Sequence, residues 1–310
     1  MIRPLFPILL PLLAASGAAG FLSSHSIPRS AAVRAAATAP IAASAEAKSS
    51  STYTLPPRIV RDTIPTLYVY DHCPFCVRVR LALGLKNVKH LVNFLANDDV
   101  PTPTALVGKK ISPIFALPED DLIMGESLDI IALVDGDERF GPTGAILPAT
   151  GRKDIKTWQK SVQILLRTLQ RPRYVATGLM PEFQQLDGRH AFMKNHQLPP
   201  YEKAEWKGDG TPENPGVPMD DKLVLYAEAL AKDPAPLLEE LNAKLVELDD
   251  MVYSESHCSD GGLSMDDIDL WARLRSITII RGVEWPSKLR AYMDHLCALG
   301  DVPLYDEMAL

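Results

Sequence analysis

Tyr68-Val69-Tyr70-Asp71-His72-Cys73-Pro74-Phe75-Cys76 carries the chain from an apolar strand, Thr66 to Tyr70, straight into a helical pattern. A thiol at such a turn faces the positive end of the helix. Unpaired N–H groups and the helix dipole there favour thiolate over thiol. A free cysteine has a pKa of about 8.5, and Cys-x-x-Cys sites lower it by about one to several units. The second thiol, one turn on, can close a disulfide. Cys73 is the expected nucleophile of a redox centre and Cys76 its resolving thiol. Pro74 suits the first helical turn, where no N–H is needed. The same spacing also supplies half of a tetrahedral zinc site. No second Cys-x-x-Cys and no His pair stands at zinc-finger spacing, so no metal is expected. An iron–sulfur cluster bridging two chains stays open.

Working outward, the pattern keeps alternating. The helix after the turn runs from Pro74 to Lys86, with Val77, Leu81 and Leu85 on one face. Arg78 and Arg80 read as solvated surface. A strand follows at His90–Leu95, then a short helix or turn around Thr104–Val107. Strands at Pro113–Leu117 and Leu122–Met124 precede a helix from Ser127 to Val134. This βαβ-then-ββα order fits a thioredoxin-like domain over residues 65–141, with a right-handed crossover. Residues 142–152 close a linker rich in Gly, Pro and Asp. The remainder, 153–310, reads as helical: Lys153–Leu169, Lys222–Ala231, Ala235–Met251, Ser264–Ile280 and Ser287–Leu299. An irregular insertion is expected at 186–221. Leu263-Ser264-Met265-Asp266-Asp267-Ile268 is a helix-starting device, with Ser264 as N-cap, Asp267 reaching back to it, and Leu263 and Ile268 as a hydrophobic staple.

Two further elements bear on the thiols. Pro113 opens a strand at the place where thioredoxin-like domains carry a cis-proline facing the active cysteine. A cis bond there turns the backbone of Ser112 outward as a free edge, on which a peptide can pair by strand addition. Glu126-Ser127 begins the last helix of the domain. Its backbone N–H groups and the Ser127 hydroxyl form an anion site, and Glu126 can hold an amine. The bland alternatives are an ordinary strand-starting proline and a serine that only caps its helix. Cys73, Pro113 and Glu126-Ser127 nevertheless fall in the order that a site for glutathione, a γ-glutamyl peptide, requires.

The chain has 310 residues and a formal net charge of −7, so no nucleic-acid footprint is visible. Its first 45 residues contain no Asp or Glu, only the three arginines Arg3, Arg29 and Arg34, and much Ala and Ser. Arg3, an apolar core from Leu5 to Leu13 and the small residues Ala14–Gly20 have the layout of a signal peptide. Phe21 and the acid-free run to Ala45 then look like a transit peptide. This bipartite layout resembles leaders sent to plastids of secondary-endosymbiotic algae; a secretory signal with a pro-segment is the alternative. Residues 46–64 read as a disordered linker. The apolar core is too short for a membrane span, which needs about 20 apolar residues.

Taken together, these stretches make the chain similar to the glutathione-transferase-like glutaredoxins of the bacterial glutaredoxin-2 type. The resemblance rests on Tyr68–Cys76, Gly84-Leu85-Lys86-Asn87, Asn97-Asp98-Asp99, Thr102-Pro103-Thr104, Val107-Gly108-Lys109-Lys110 and Gly125-Glu126-Ser127-Leu128-Asp129-Ile130. In the second half it rests on Leu263–Ile268 and Glu284-Trp285-Pro286-Ser287. It departs from the family at Phe75, where Tyr is usual, and at Ser112, where Val is usual. The resemblance implies an α/β thioredoxin-like N-terminal domain followed by an all-α, glutathione-transferase-like C-terminal domain. It implies glutathione as reductant, bound around Phe75, Ser112, Pro113, Glu126 and Ser127. The expected substrates are disulfide-bonded or glutathionylated proteins. A dehydroascorbate reductase or omega-like transferase is the enzymatic alternative. A membrane-inserting relative of the chloride intracellular channels is the non-enzymatic one. Cys258 and Cys297, isolated in the helical half, read as ordinary cysteines.

Overall fold

Leu67 and Val69 point into the core while Thr66 and Tyr68 are half-buried, the period-two pattern of a strand. In the computed structural model, which describes residues 53–310, this strand (β1, Thr66–Val69) pairs in parallel with β2 (Leu91–Phe94). The crossover between them is α1 (Pro74–Leu85). After α2 (Pro101–Val107) come β3 (Ile114–Leu117), antiparallel to β1, and β4 (Leu122–Gly125), antiparallel to β3. The sheet order is β2-β1-β3-β4, and α3 (Ser127–Gly136) closes the unit. Tyr68 lies opposite Ile114, and Ile114 opposite Gly125. The end of β1, the start of β3 and the end of β4 therefore share one edge of the sheet, and that edge positions the site.

Nine of the twelve α1 residues are buried, because helices flank it on both sides. It packs against α3 of its own domain and against α10 (Met265–Leu274) and α11 (Ser287–Gly300) of the helical domain. A Cβ at Gly84 would fall 1.9 Å from the Gly300 carbonyl oxygen, so α1 and α11 cross at backbone contact. The helical domain also contains α4 (Lys153–Ser161), α5 (Gln163–Thr177), α6 (Leu186–Asn195), α7 (Lys203–Lys207), α8 (Met219–Ala231) and α9 (Ala235–Met251).

Four expectations change. The single helix expected from Lys153 to Leu169 is interrupted at Val162, where the Ser161 hydroxyl bonds back to the Trp158 carbonyl at 2.8 Å. Its second part runs on to Thr177. The stretch 186–221, read as irregular, holds α6 and α7. Burial of Phe192, Met193 and Trp206 stabilises these helices, with the Trp206 ring N–H donating to the Met193 carbonyl at 2.6 Å. Residues 53–64, read as disordered, are held against the first domain. The Ile59 amide and carbonyl bond Asn87 and Lys89 at 2.9 and 2.8 Å, and the Tyr53 hydroxyl donates to the Leu85 carbonyl at 2.6 Å. Arg78 and Arg80 are buried, not solvated. The leader expected at 1–45 and residues 46–52 lie outside the described residues.

The linker after α3 is sewn down as well. Leu147 exchanges backbone bonds with Leu263 and Met265 at 3.1 and 2.9 Å. At the start of α10, Ser264 and Asp267 form the expected reciprocal cap, with the Ser264 N–H donating to Asp267 at 2.8 Å.

Candidate active site

Cys73 is the N-cap residue of α1, and among the described residues no side chain caps that helix. The backbone N–H groups of Phe75 and Cys76 are thus left to the sulfur of Cys73. Its thiol is lowered to about 6. The Cys76 thiol, donating to it, contributes most; burial opposes the shift, and His72 and the two N–H groups add to it. Cys76, fully buried one turn further on, is pushed well up by burial and by the neighbouring Cys73 charge. The pair thus separates into a half-buried thiolate and a fully buried thiol. Cys76 Sγ lies 3.1 Å from the Ser112 hydroxyl, which also donates to the Tyr68 carbonyl at 3.1 Å.

The Ser112–Pro113 peptide bond is cis. Pro113 is buried beside β4, with its carbonyl oxygen 3.8 Å from where a Gly125 Cβ would stand. Glu126 follows directly. It is exposed and has φ of 66°, an uncommon conformation for a residue with a side chain. Ser127 is buried as the first residue of α3, whose N-terminus no side chain caps. The sheet edge therefore gathers Cys73, Cys76, Ser112, Pro113, Glu126 and Ser127. Phe75 stands apart, 47% exposed, with the Arg78 guanidinium 4.9 Å from its ring centre.

The helical domain fixes the turn before Cys73. Arg275 is buried and donates to the Asp71 carbonyl at 2.8 Å and to its carboxylate at 3.1 and 3.2 Å. The Tyr305 hydroxyl donates to the same carbonyl at 2.8 Å, and Arg80 pairs with the Asp71 carboxylate. Burial works against that carboxylate, but Arg275 and Arg80 outweigh it and hold its pKa low. Arg78 pairs with Asp269 on α10. Glu182, completely buried, accepts from both the backbone N–H and the ring Nδ1 of His72, at 2.8 and 2.7 Å. Tyr174, Phe183 and Phe192 pack around that ring with centroids 5.0–5.4 Å away. None of these partners was found by sequence reasoning. Each lies more than 100 residues from the turn except Arg80, and a lone Glu or Arg carries no local signal.

Cys73 opens into a cleft of about 420 Å³ between the two domains, walled by His72, Phe75, Trp158, Leu166, Tyr174 and neighbouring residues. Cys258 and Cys297 are elsewhere. Burial, and for Cys258 also the Asp267 carboxylate, push both thiols up. Among the described residues no group of three or more His, Cys, Asp or Glu could hold a metal, and no helix is long and apolar enough to cross a membrane.

Two family models match the chain: the glutathione S-transferase N-terminal domain over residues 67–142 and the glutaredoxin 2 C-terminal domain over 220–309. Glutaredoxin 2 of Escherichia coli K12 is 31% identical over 245 residues, which are 79% of this chain and 99% of that protein. The chain belongs to the glutaredoxin 2 family. The activity class follows from that membership: glutathione-dependent disulfide oxidoreductase. A crystal structure of glutaredoxin 2 from Salmonella typhimurium, in complex with glutathione, is 30% identical to this glutaredoxin. It matches with a TM-score of 0.64 over 80% of this chain and all of that one.

Proposed function

We propose that this glutaredoxin reduces protein disulfides and glutathione mixed disulfides through a Cys73 nucleophile and a Cys76 resolving thiol, with glutathione as electron donor. In the monothiol route, the Cys73 thiolate attacks the glutathione sulfur of a glutathionylated protein. The protein leaves as a thiolate and takes a proton. A second glutathione thiolate then attacks the glutathione sulfur on Cys73, releasing Cys73 thiolate and oxidised glutathione. In the dithiol route, Cys73 attacks a protein disulfide. Cys76, as thiolate, attacks the Cys73 sulfur and frees the reduced protein, leaving a Cys73–Cys76 disulfide that two glutathiones reduce.

One observation carries this reading: a thiol lowered to about 6 stands at an uncapped helix N-terminus and opens into a cleft, with a second thiol buried behind it. Glutathione is read as lying along the sheet edge. The backbone of Ser112 beside cis-Pro113 would pair with the peptide. The start of α3 at Ser127 would take the γ-glutamyl carboxylate and Glu126 the amine, with Phe75 flanking. The test is glutathione-dependent reduction of a glutathionylated peptide by the wild type and Cys73→Ser. Full activity in the variant would sink the reading.

Residues 1–45 are read as a leader to the plastid of a secondary-endosymbiotic alga, with the secretory pathway as the other destination. Their composition supports this: no acidic residue, a short apolar core, then Phe21 and a basic, Ser/Ala-rich run. Fusing them to a fluorescent protein in such an alga tests it; diffuse cytosolic fluorescence would contradict it.

A further inference from the structure

The cleft at Cys73 has one sign of charge. Among the described residues no Asp or Glu lines it, although the chain holds 39 acidic residues against 32 basic ones. Three arginines do line it: Arg167, Arg171 and Arg273. Arg273 pairs with Asp269 at 3.2 Å. Arg167 and Arg171 enter no ion pair among the described residues. They stand four apart on α5, one turn from each other on the same face, where like charges repel. Both are half-buried. Arg171 donates only to a backbone carbonyl, that of Gln197. Burial pulls its pKa down to about 10 and the charge of Arg167 pulls the same way, so it stays cationic at neutral pH without a counter-charge. Partly desolvated cations facing each other without a partner are destabilising, and an anion in the cleft would relieve both terms.

The two sides of Cys73 differ. Ser112, Pro113, Glu126 and Ser127 lie on the sheet edge and none of them lines the cleft. On the proposed reading glutathione takes the sheet edge, which leaves the cleft to the other half of the mixed disulfide. We infer that Arg167 and Arg171 select protein substrates that carry acidic residues beside the scissile cysteine. The inference rests on the proposed function for the placement of glutathione. It also runs against the field of the whole molecule. A chain of net charge −7 with a charge-blind cleft would favour basic substrates.

The test uses three cysteine peptides of equal length, each a mixed disulfide with glutathione, flanked by acidic, neutral or basic residues. At low ionic strength kcat/KM is expected to be about tenfold higher for the acidic than for the neutral peptide, with the basic peptide lowest. Salt should erode the preference, since the Debye length falls to about 10 Å at 0.1 M. In Arg167→Gln plus Arg171→Gln the acidic-to-neutral ratio should fall to about one or below. Arg171 also holds the Gln197 carbonyl, so Arg167→Gln alone is the second variant, with the ratio reduced about threefold. No acidic preference in the wild type, or its survival in both variants, would overturn the inference. So would a raised KM for glutathione with the peptide ratio unchanged, which would assign the arginines to the reductant. Turnover of the neutral peptide by the wild type reads the proposed function separately; if no peptide is turned over, that function fails and the selectivity with it.

Discussion

Cys73 and Cys258 both lie beside the N-terminus of a helix, yet their thiols are driven in opposite directions. At α1 the Cys76 thiol donates to the sulfur of Cys73 and lowers it most, and because no side chain among the described residues takes the free N–H groups, that sulfur also receives those of Phe75 and Cys76. At α10 they are already taken: the Leu147 carbonyl accepts from the Met265 N–H and the Ser264 hydroxyl from that of Asp266, while the Asp267 carboxylate accepts the Ser264 N–H. Asp267 also accepts the Cys258 N–H at 2.6 Å and the Tyr292 hydroxyl at 3.1 Å. Cys258 therefore faces a carboxylate instead of a row of donors, and burial and that carboxylate raise its pKa. A helix end activates a thiol only while nothing else caps it.

The strongest effect belongs to the N-terminus of α1. Cys73→Ser should cost at least about a thousandfold in turnover, because a serine hydroxyl does not ionise near neutral pH. Cys258→Ser should leave kcat/KM within about twofold per folded molecule, as no lowered thiol is lost there. Next comes the structural end. Asp267→Ala leaves the donors from Cys258, Ser264 and Tyr292 unsatisfied, and should destabilise by about 3 kcal/mol in denaturant titration. Restoring normal turnover at low temperature would show that the role is structural.

The third prediction follows pH. Alkylation of Cys73 should be flat near neutrality and fall about tenfold per pH unit below its pKa of about 6, while Cys258 stays unreactive. The folded pKa of Cys73 is depressed below that of a free thiol, and this sets the sign for stability. The contribution of Cys73 is full above the unfolded pKa and is lost as pH falls through about 6. Smaller effects should come from its neighbour. Cys76→Ala removes the largest lowering contact and should raise the Cys73 pKa by about a unit, whereas Cys76→Ser keeps a donor and should shift it less. Cys76→Ser should also retain deglutathionylation and lose reduction of intramolecular protein disulfides.

The contrast between the two helix ends was half legible in the sequence. Ser264 and Asp267 are neighbours in the chain, so their cap could be read directly. The strand-to-helix turn at Cys73 could be read for the same reason, as could the βαβ-then-ββα order around it. Arg78 and Arg80 could not. Their helical spacing suggests a solvated face, and only tertiary packing places Asp269 and Asp71 against them. Asp71 itself looks like an ordinary turn residue until Arg275, 204 residues later, reaches it. The α6–α7 helices were hidden in a Pro- and Gly-rich region whose composition predicts a loop, and Glu182, just before it, carries no local signal. Burial of Phe192 and Trp206 overrides that local preference.

Cys73, its thiol lowered chiefly by the Cys76 thiol and further by the uncapped helix end, is the sulfur that carries glutathione. Trapping tests it directly: Cys76→Ser is mixed with a glutathionylated peptide, quenched with acid and mapped by mass spectrometry. A glutathione adduct is expected on Cys73 and on no other cysteine. An adduct on Cys258 or Cys297, or sustained turnover with Cys73 unmodified, would contradict it.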